Sequence, residues 1–194
     1  PLYSSAASDV YKRQPLGRRI RSAFVPGAPD RSFVSADYSQ VELRVLAHCS
    51  GDEELRKAFR NDRDIHRFVA AQIAGLPEAD VTDEMRRNAK AVNFGIIYGL
   101  SAYGLARQIE VPVEEARSFI DGYFERYSKV KEFIGRTIAE ARRRGYVQTL
   151  AGRRRMIEGI NATGPVRSAA ERVAVNTVIQ GTAADLIKIA MIAI

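Results

Sequence analysis

Apolar residues recur along most of this chain at intervals of three and four, the spacing of amphipathic helices. The clearest case is Met85, Ala89, Val92 and Ile96, which fall within roughly 60° of one another on a helix turning about 100° per residue and form one packing stripe. Thr82-Asp83-Glu84 opens that helix and Gly99 ends it. Gly95, in its interior, implies a close neighbour, because glycine there costs about 1 kcal/mol relative to alanine.

The same signals lay out the other elements. Ser39-Gln40-Val41-Glu42 has capping-box spacing and begins a helix to His48, and Ser50 with Glu53 begins another to Phe59. Asp64 caps a third that stops at Gly75-Leu76-Pro77. Ser101 to Gln108 is a short helix, Pro112 occupies a first helical position, and helices run to about Tyr127 and Arg144. The period departs from helical at two places. After a turn at Pro26, Gly27 and Pro29, Phe33-Val34-Ser35-Ala36 reads as a short buried strand delivering Asp37. Past Gly145, residues 146–150 and 153–157 read as a hairpin around Ala151-Gly152. From Gly164-Pro165 a helical pattern runs to the end, interrupted at Gly181, and residues 1–15 are a small, polar lead-in foreign to the rest. The fold class expected is α+β, predominantly helical, with small antiparallel sheet elements.

Composition narrows the partners. With 194 residues and 46% hydrophobic content the chain can bury one good core or two small ones. A single Cys49 and two distant histidines, His48 and His66, exclude a disulfide framework and argue against zinc. No apolar run is long enough to span a bilayer, so a cytoplasmic setting with no membrane partner is expected. The net charge of +7 is concentrated: residues 136–155 hold seven arginines against one acid, Glu140. That cluster argues for a polyanion such as nucleic acid, although exposed arginines also serve solubility.

Three groups of residues could carry chemistry. Opposite the packing stripe of the central helix, Arg86, Lys90, Phe94 and Tyr98 follow at i, i+4, i+8 and i+12, a row about 18 Å long. Cations suit phosphates and aromatic faces suit a base and sugar, so the row fits a nucleotide; the plainer alternative is a solvated face with two aromatics packed on a neighbour. Asp37 could ligate a hard cation, and Glu42, four residues after Tyr38, could cap or bind. Arg172, Asn176 and Gln180 form a hydrogen-bonding row that could read a nucleic-acid strand or simply face solvent.

Taken in order, Asp37-Tyr38-Ser39-Gln40-Val41-Glu42-Leu43-Arg44, the Arg86 to Gly99 helix and Arg172 to Asp185, with Asp64-Ile65-His66-Arg67 between them, closely resemble the bacterial family A DNA polymerases over about Gly17 to Ile194. The resemblance implies template-directed transfer of nucleotides from deoxynucleoside triphosphates to a primer 3′-hydroxyl, assisted by two Mg²⁺ ions. It implies Asp37 and Lys90 as catalytic residues, with Asp37 and the Tyr38 carbonyl on metal. Gln40, Glu42, His66, Arg86, Lys90, Phe94 and Tyr98 lie on the nucleotide side, with Glu42 excluding a ribose 2′-hydroxyl. Arg172, Asn176, Gln180 and the hairpin's Arg153 and Arg154 lie on DNA.

The resemblance also divides the chain into a foreign lead-in (1–16), a palm segment (17–50), helical fingers with the basic hairpin (51–160) and a truncated palm helix (161–194). The family's second carboxylate, in a His-Asp-Glu stretch, matches nothing here, so the 194 residues are expected not to polymerise DNA alone. A monomeric enzyme of the bacterial nucleoid, acting in replication or repair on primer-template DNA, is the resulting expectation. The rivals are a single-subunit RNA polymerase, against which Glu42 speaks, and a non-catalytic nucleic-acid-binding module.

Overall fold

The computed structural model describes residues 24–32, 34 and 36–193. The expected lead-in (1–16), Phe33, Ser35 and Ile194 lie outside the described residues. The chain divides into two compact units, Pro1–Ser39 and Gln40–Ile194.

In the first unit the described residues form no strand. Residues 27–30 make a turn, with Arg31 N donating to Ala28 O at 3.1 Å. Of the buried strand expected at 33–36 only residues 34 and 36 are described; both are irregular, and Val34 is 87% exposed. An apolar pair alone does not make a strand, which needs a neighbour to accept its ladder, and none pairs with it among the described residues.

The second unit holds eight helices: α1 (Val41–Ser50), α2 (Glu53–Arg60), α3 (Ile65–Ala74), α4 (Asp83–Tyr98), α5 (Ala102–Ile109), α6 (Val113–Arg126), α7 (Ser128–Arg144) and α8 (Gly164–Ala193). A 3₁₀ turn spans Glu78–Asp80, and the strands β1 (Tyr146–Gln148) and β2 (Arg154–Met156) pair antiparallel with Tyr146 opposite Met156. Local chemistry sets most boundaries. Asp64 Oδ1 accepts from His66 N and Arg67 N, Thr82 Oγ1 from Met85 N and Ser101 Oγ from Gly104 N, each satisfying an otherwise orphaned donor at a helix start.

Other boundaries differ from expectation. Asp52, not Ser50, caps α2 through Leu55 N at 3.0 Å, while Ser50 ends α1 with its hydroxyl donating to Ala47 O. Both residues fit the capping pattern, and the chain uses the carboxylate. The N-cap of α1 is Gln40, held left-handed at φ 54 with no side-chain cap bond, and Glu42 bonds elsewhere. Pro112 is an N-cap one position before the first helical residue.

The larger core gathers α1–α7 around Leu46, Leu55, Val69, Val92, Ile97 and Val130, and α8 joins it through Val175 and Ile179. The stripe read from sequence faces inward: Val92 is fully buried and Ala89 and Ile96 nearly so. What Gly95 meets is Leu100, whose Cβ would lie 3.4 Å from an added Cβ. The smaller core sits under the hairpin, with Ala141, Val147, Ile157, Ile160, Ala170 and Ala174.

The long helix is one uninterrupted element of 30 residues, not two pieces broken at Gly181. Glycine is there for room: a Cβ at 181 would stand 2.7 Å from Thr149 Cγ2, so its absence lets the hairpin seat on α8.

Candidate functional site

Residues expected on the nucleotide side meet at the outward face of α4 and its neighbours. Arg86 Nε donates to Asp64 Oδ2 at 2.7 Å while Asp64 Oδ1 caps α3, so one carboxylate holds both a helix start and a guanidinium. Partial burial pushes the Asp64 carboxyl up, but Arg86 and the two backbone donors outweigh it and hold its pKa below the usual carboxylate range. Lys90 is exposed and has no acid within ion-pair distance among the described residues.

One turn further along, Phe94 lies between two rings. Its centroid is 6.0 Å from that of His66 and 6.2 Å from that of Tyr98, against which it stacks at 13°. Tyr98 ends the row by donating from its hydroxyl to Glu42 Oε2 at 3.0 Å, across from α1. Burial, then the Glu42 charge and bond, push the tyrosine pKa up against the opposing Gln180 amide, so the hydroxyl keeps its proton. Glu42, Tyr98 and Gln180 thus converge from three helices.

His66 is buried at 3% exposure. Burial lowers its pKa to about 4; the Asp64 carboxylate acts against that shift and the Lys90 and Arg86 charges act with it. The ring is therefore neutral at physiological pH. Its Nδ1 lies 3.0 Å from Asn93 Nδ2, an amide with no solvent exposure.

Beyond Tyr98, the left-handed Gly99 (φ 62) lies under the stem of Arg172; a Cβ there would stand 2.6 Å from Arg172 Cγ. Arg172 and Gln180 are exposed on α8, and the Asn176 carbonyl between them is sealed from solvent without a partner. A cavity of about 440 Å³ opens beside Arg87, Lys90, Phe94 and Gln108 between α4 and α5.

The hairpin arginines are placed differently. Arg153 donates to Asp185 Oδ1 at 2.8 Å and to Gly181 O at 3.1 Å, and Thr149 donates to Asp185 Oδ2 at 2.7 Å. The Thr149 bond first, and Arg153 beside it, hold the Asp185 carboxyl below its ordinary value. Arg155 donates to Thr177 on α8, while Arg154 lies over the ring of Tyr146, 5.0 Å from its centre. Arg153 fastens the hairpin to α8, and Arg154 is the one of the expected pair left facing outward.

Asp37 and Tyr38 belong to the first unit, where both are exposed on irregular backbone. Among the described residues no three His, Cys, Asp or Glu side chains come together. A carboxylate and a carbonyl are the right oxygen donors for a hard cation, but they fall short of a complete metal site. No helix among the described residues is long and apolar enough to cross a membrane.

Two residues of this face escape sequence reading: Asp64 as the partner of Arg86, visible only as a cap, and Asn93, the partner of His66. The latter left a signal, since it is the one amide among the apolar positions that turn inward on α4.

The family model described as DNA polymerase family A matches residues 8–194. The thermostable DNA polymerase I of Thermus thermophilus is 52% identical over 181 residues, which cover 93% of this chain and 22% of that protein. The DNA polymerase I of Caldicellulosiruptor bescii is 54% identical over 177 residues, covering 91% and 21%. Among solved structures, the POL domain of Pol1 from M. smegmatis in complex with DNA primer-template and dNTP is 45% identical with a TM-score of 0.83, over 93% of this chain and 32% of that one. The chain spans about a fifth of the length of these curated relatives.

Proposed function

The chain belongs to DNA polymerase family A, and from that premise we propose that it is the nucleotide-gripping part of a DNA-directed DNA polymerase. The observation that carries this reading is the continuous row Arg86, Lys90, Phe94 and Tyr98, ending in the Tyr98 to Glu42 hydrogen bond at 3.0 Å. Arg86 and Lys90 take the phosphates of a deoxynucleoside triphosphate, with Lys90 as a catalytic cation where charge develops on the leaving group. Phe94 takes the sugar and base. Glu42, held by Tyr98, stands where a ribose 2′-hydroxyl would fall, and His66 and Gln40 complete the nucleotide side.

Arg172, Asn176 and Gln180 meet primer and template along α8, and Arg154 adds a backbone contact. Arg153 serves that surface by fixing the hairpin. The similarity to a polymerase complexed with primer-template and dNTP supports these partners. In this reading residues 17–50 and 161–194 are palm, residues 51–160 are fingers, and the enzyme is monomeric and works in the cytoplasm on nucleoid DNA in replication or repair.

A divalent metal dependence goes with the family. We take the ion to be Mg²⁺; Asp37 and the Tyr38 carbonyl would contribute oxygen ligands to it, and it would supply charge neutralisation at the phosphates. The protein's own contribution is to grip the phosphates with fixed cations and to stack the base.

The test is titration of the chain with a deoxynucleoside triphosphate and Mg²⁺ on a matched primer-template. Binding that tightens with the matching triphosphate and weakens on Lys90→Ala supports the reading. Salt-sensitive DNA binding indifferent to triphosphate and metal overturns it in favour of a non-catalytic binding module. In the intact polymerase, equal use of ribonucleotides would favour an RNA polymerase.

A further inference from the structure

Asn93 is an expensive residue where it stands. Its side chain is fully buried on the packing face of α4, and its Oδ1 is sealed without a hydrogen-bond partner. An unmet buried acceptor costs stability, and an apolar residue of similar size would pack there at lower cost. Folding alone therefore does not account for it.

Among the described residues the amide's only bond is the one from Nδ2 to His66 Nδ1 at 3.0 Å. An amide nitrogen can only donate, so Nδ1 must accept, and the hydrogen of a neutral imidazole must then sit on Nε2. Nε2 has no partner among the described residues, and it is absent from the sealed, unpaired atoms, so it retains solvent contact. The ring lies beside Phe94 and within the electrostatic reach of Arg86, Lys90 and Asp64. Burial and the two cations keep it uncharged, which leaves Nε2–H as its one donor.

We infer that Asn93 is a positioning residue, whose amide donates to His66 Nδ1 and so presents Nε2–H as a neutral donor to the phosphate chain of a nucleoside triphosphate lying along Arg86 and Lys90. The inference rests on the proposed nucleotide site. It gives the two cations and the imidazole different tasks: the cations supply charge, and the imidazole supplies a direction-specific hydrogen bond that survives without a charge of its own.

The test uses the whole chain labelled with ¹⁵N-histidine, which gives signals from only His48 and His66. Long-range proton–nitrogen correlations at neutral pH should show His66 protonated on Nε2 alone. A hydrogen on Nδ1 overturns the inference without any variant being made. Asn93→Leu should release the ring into a mixture of tautomers, and Asn93→Asp, which can only accept, should draw a proton onto Nδ1. Adding a matched deoxynucleoside triphosphate with Mg²⁺ and primer-template should move the His66 Nε2 resonance in the parent. In Asn93→Leu, triphosphate binding should weaken about tenfold, the factor that about 1.4 kcal/mol represents. Triphosphate binding with an unmoved Nε2 resonance refutes the phosphate role while leaving the polymerase reading intact. No triphosphate binding at all refutes the polymerase reading and this role with it.

Discussion

Two arginine-bearing regions of this protein look alike in sequence and differ in structure. In residues 136–155, four of the seven arginines hold an acid: Arg142 with Glu171, Arg143 and Arg144 with Glu140, and Arg153 with Asp185. Among the described residues, Lys90 on α4 has no acid, and Arg86 gives only its Nε to Asp64, which leaves both terminal nitrogens of the guanidinium without a partner there. The densest basic run is thus largely paired within the protein: Arg143 and Arg144 inside α7, Arg142 from α7 to α8 and Arg153 from the hairpin to α8, while the sparser one keeps donors in reserve. Counting cations finds a basic region; counting partners finds the one open to a ligand.

Breaking each region should therefore have opposite signatures. Lys90→Ala in the complete polymerase should lower kcat/KM for primer extension by roughly 10²- to 10³-fold, the usual loss for one preorganised cation or donor, with an unchanged Tm. A matching fall in Tm would erase the contrast. Arg153→Ala should do the reverse, lowering the Tm of the chain by several degrees because Asp185 and Gly181 O lose their partner. Arg154→Ala should leave stability within about 0.5 kcal/mol and reduce the salt dependence of DNA binding by about one ion.

Acid should separate the regions as well. His66 is buried neutral with its pKa lowered to about 4, so between pH 6.5 and 4 the unfolded chain binds the proton that the folded chain refuses. Stability from this residue is complete above about pH 6.5 and is lost as pH falls towards 4. Allowing for solvent screening, the loss is about 1–2 kcal/mol. Denaturant unfolding of His66→Phe across that range should lack this component. Tyr98→Phe removes one hydrogen bond worth about 1 kcal/mol. It should raise hydrogen exchange in the last turn of α4 and weaken discrimination against ribonucleotides less than Glu42→Ala does.

Helix identity was legible because each helix carries its own start and stop: Asp64, Thr82, Ser101 and Gly99 act where their chemistry predicts. What was not legible depends on a second segment. Ser50 and Asp52 satisfy one capping rule equally, and only the geometry chooses. Gly181 reads as a break unless the hairpin it accommodates is known. The segment at 33–36 has strand composition, yet composition does not supply a pairing neighbour. The α4 row was readable because four residues on one face need only a helix to align them. The Arg86 to Asp64 and Asn93 to His66 pairs join residues more than twenty positions apart, and no local pattern records them.

The unbroken passage of α8 through Gly181 makes that helix a ruler. Residues four apart on it are separated by about 6 Å along the axis, so Arg172, Asn176 and Gln180 are three graduations on a single rigid scale. They could not adjust separately to a strand laid across them. In the proposed polymerase reading, a duplex displaced by one step would be out of line at all three marks together, so a shift in alignment would register as one large error.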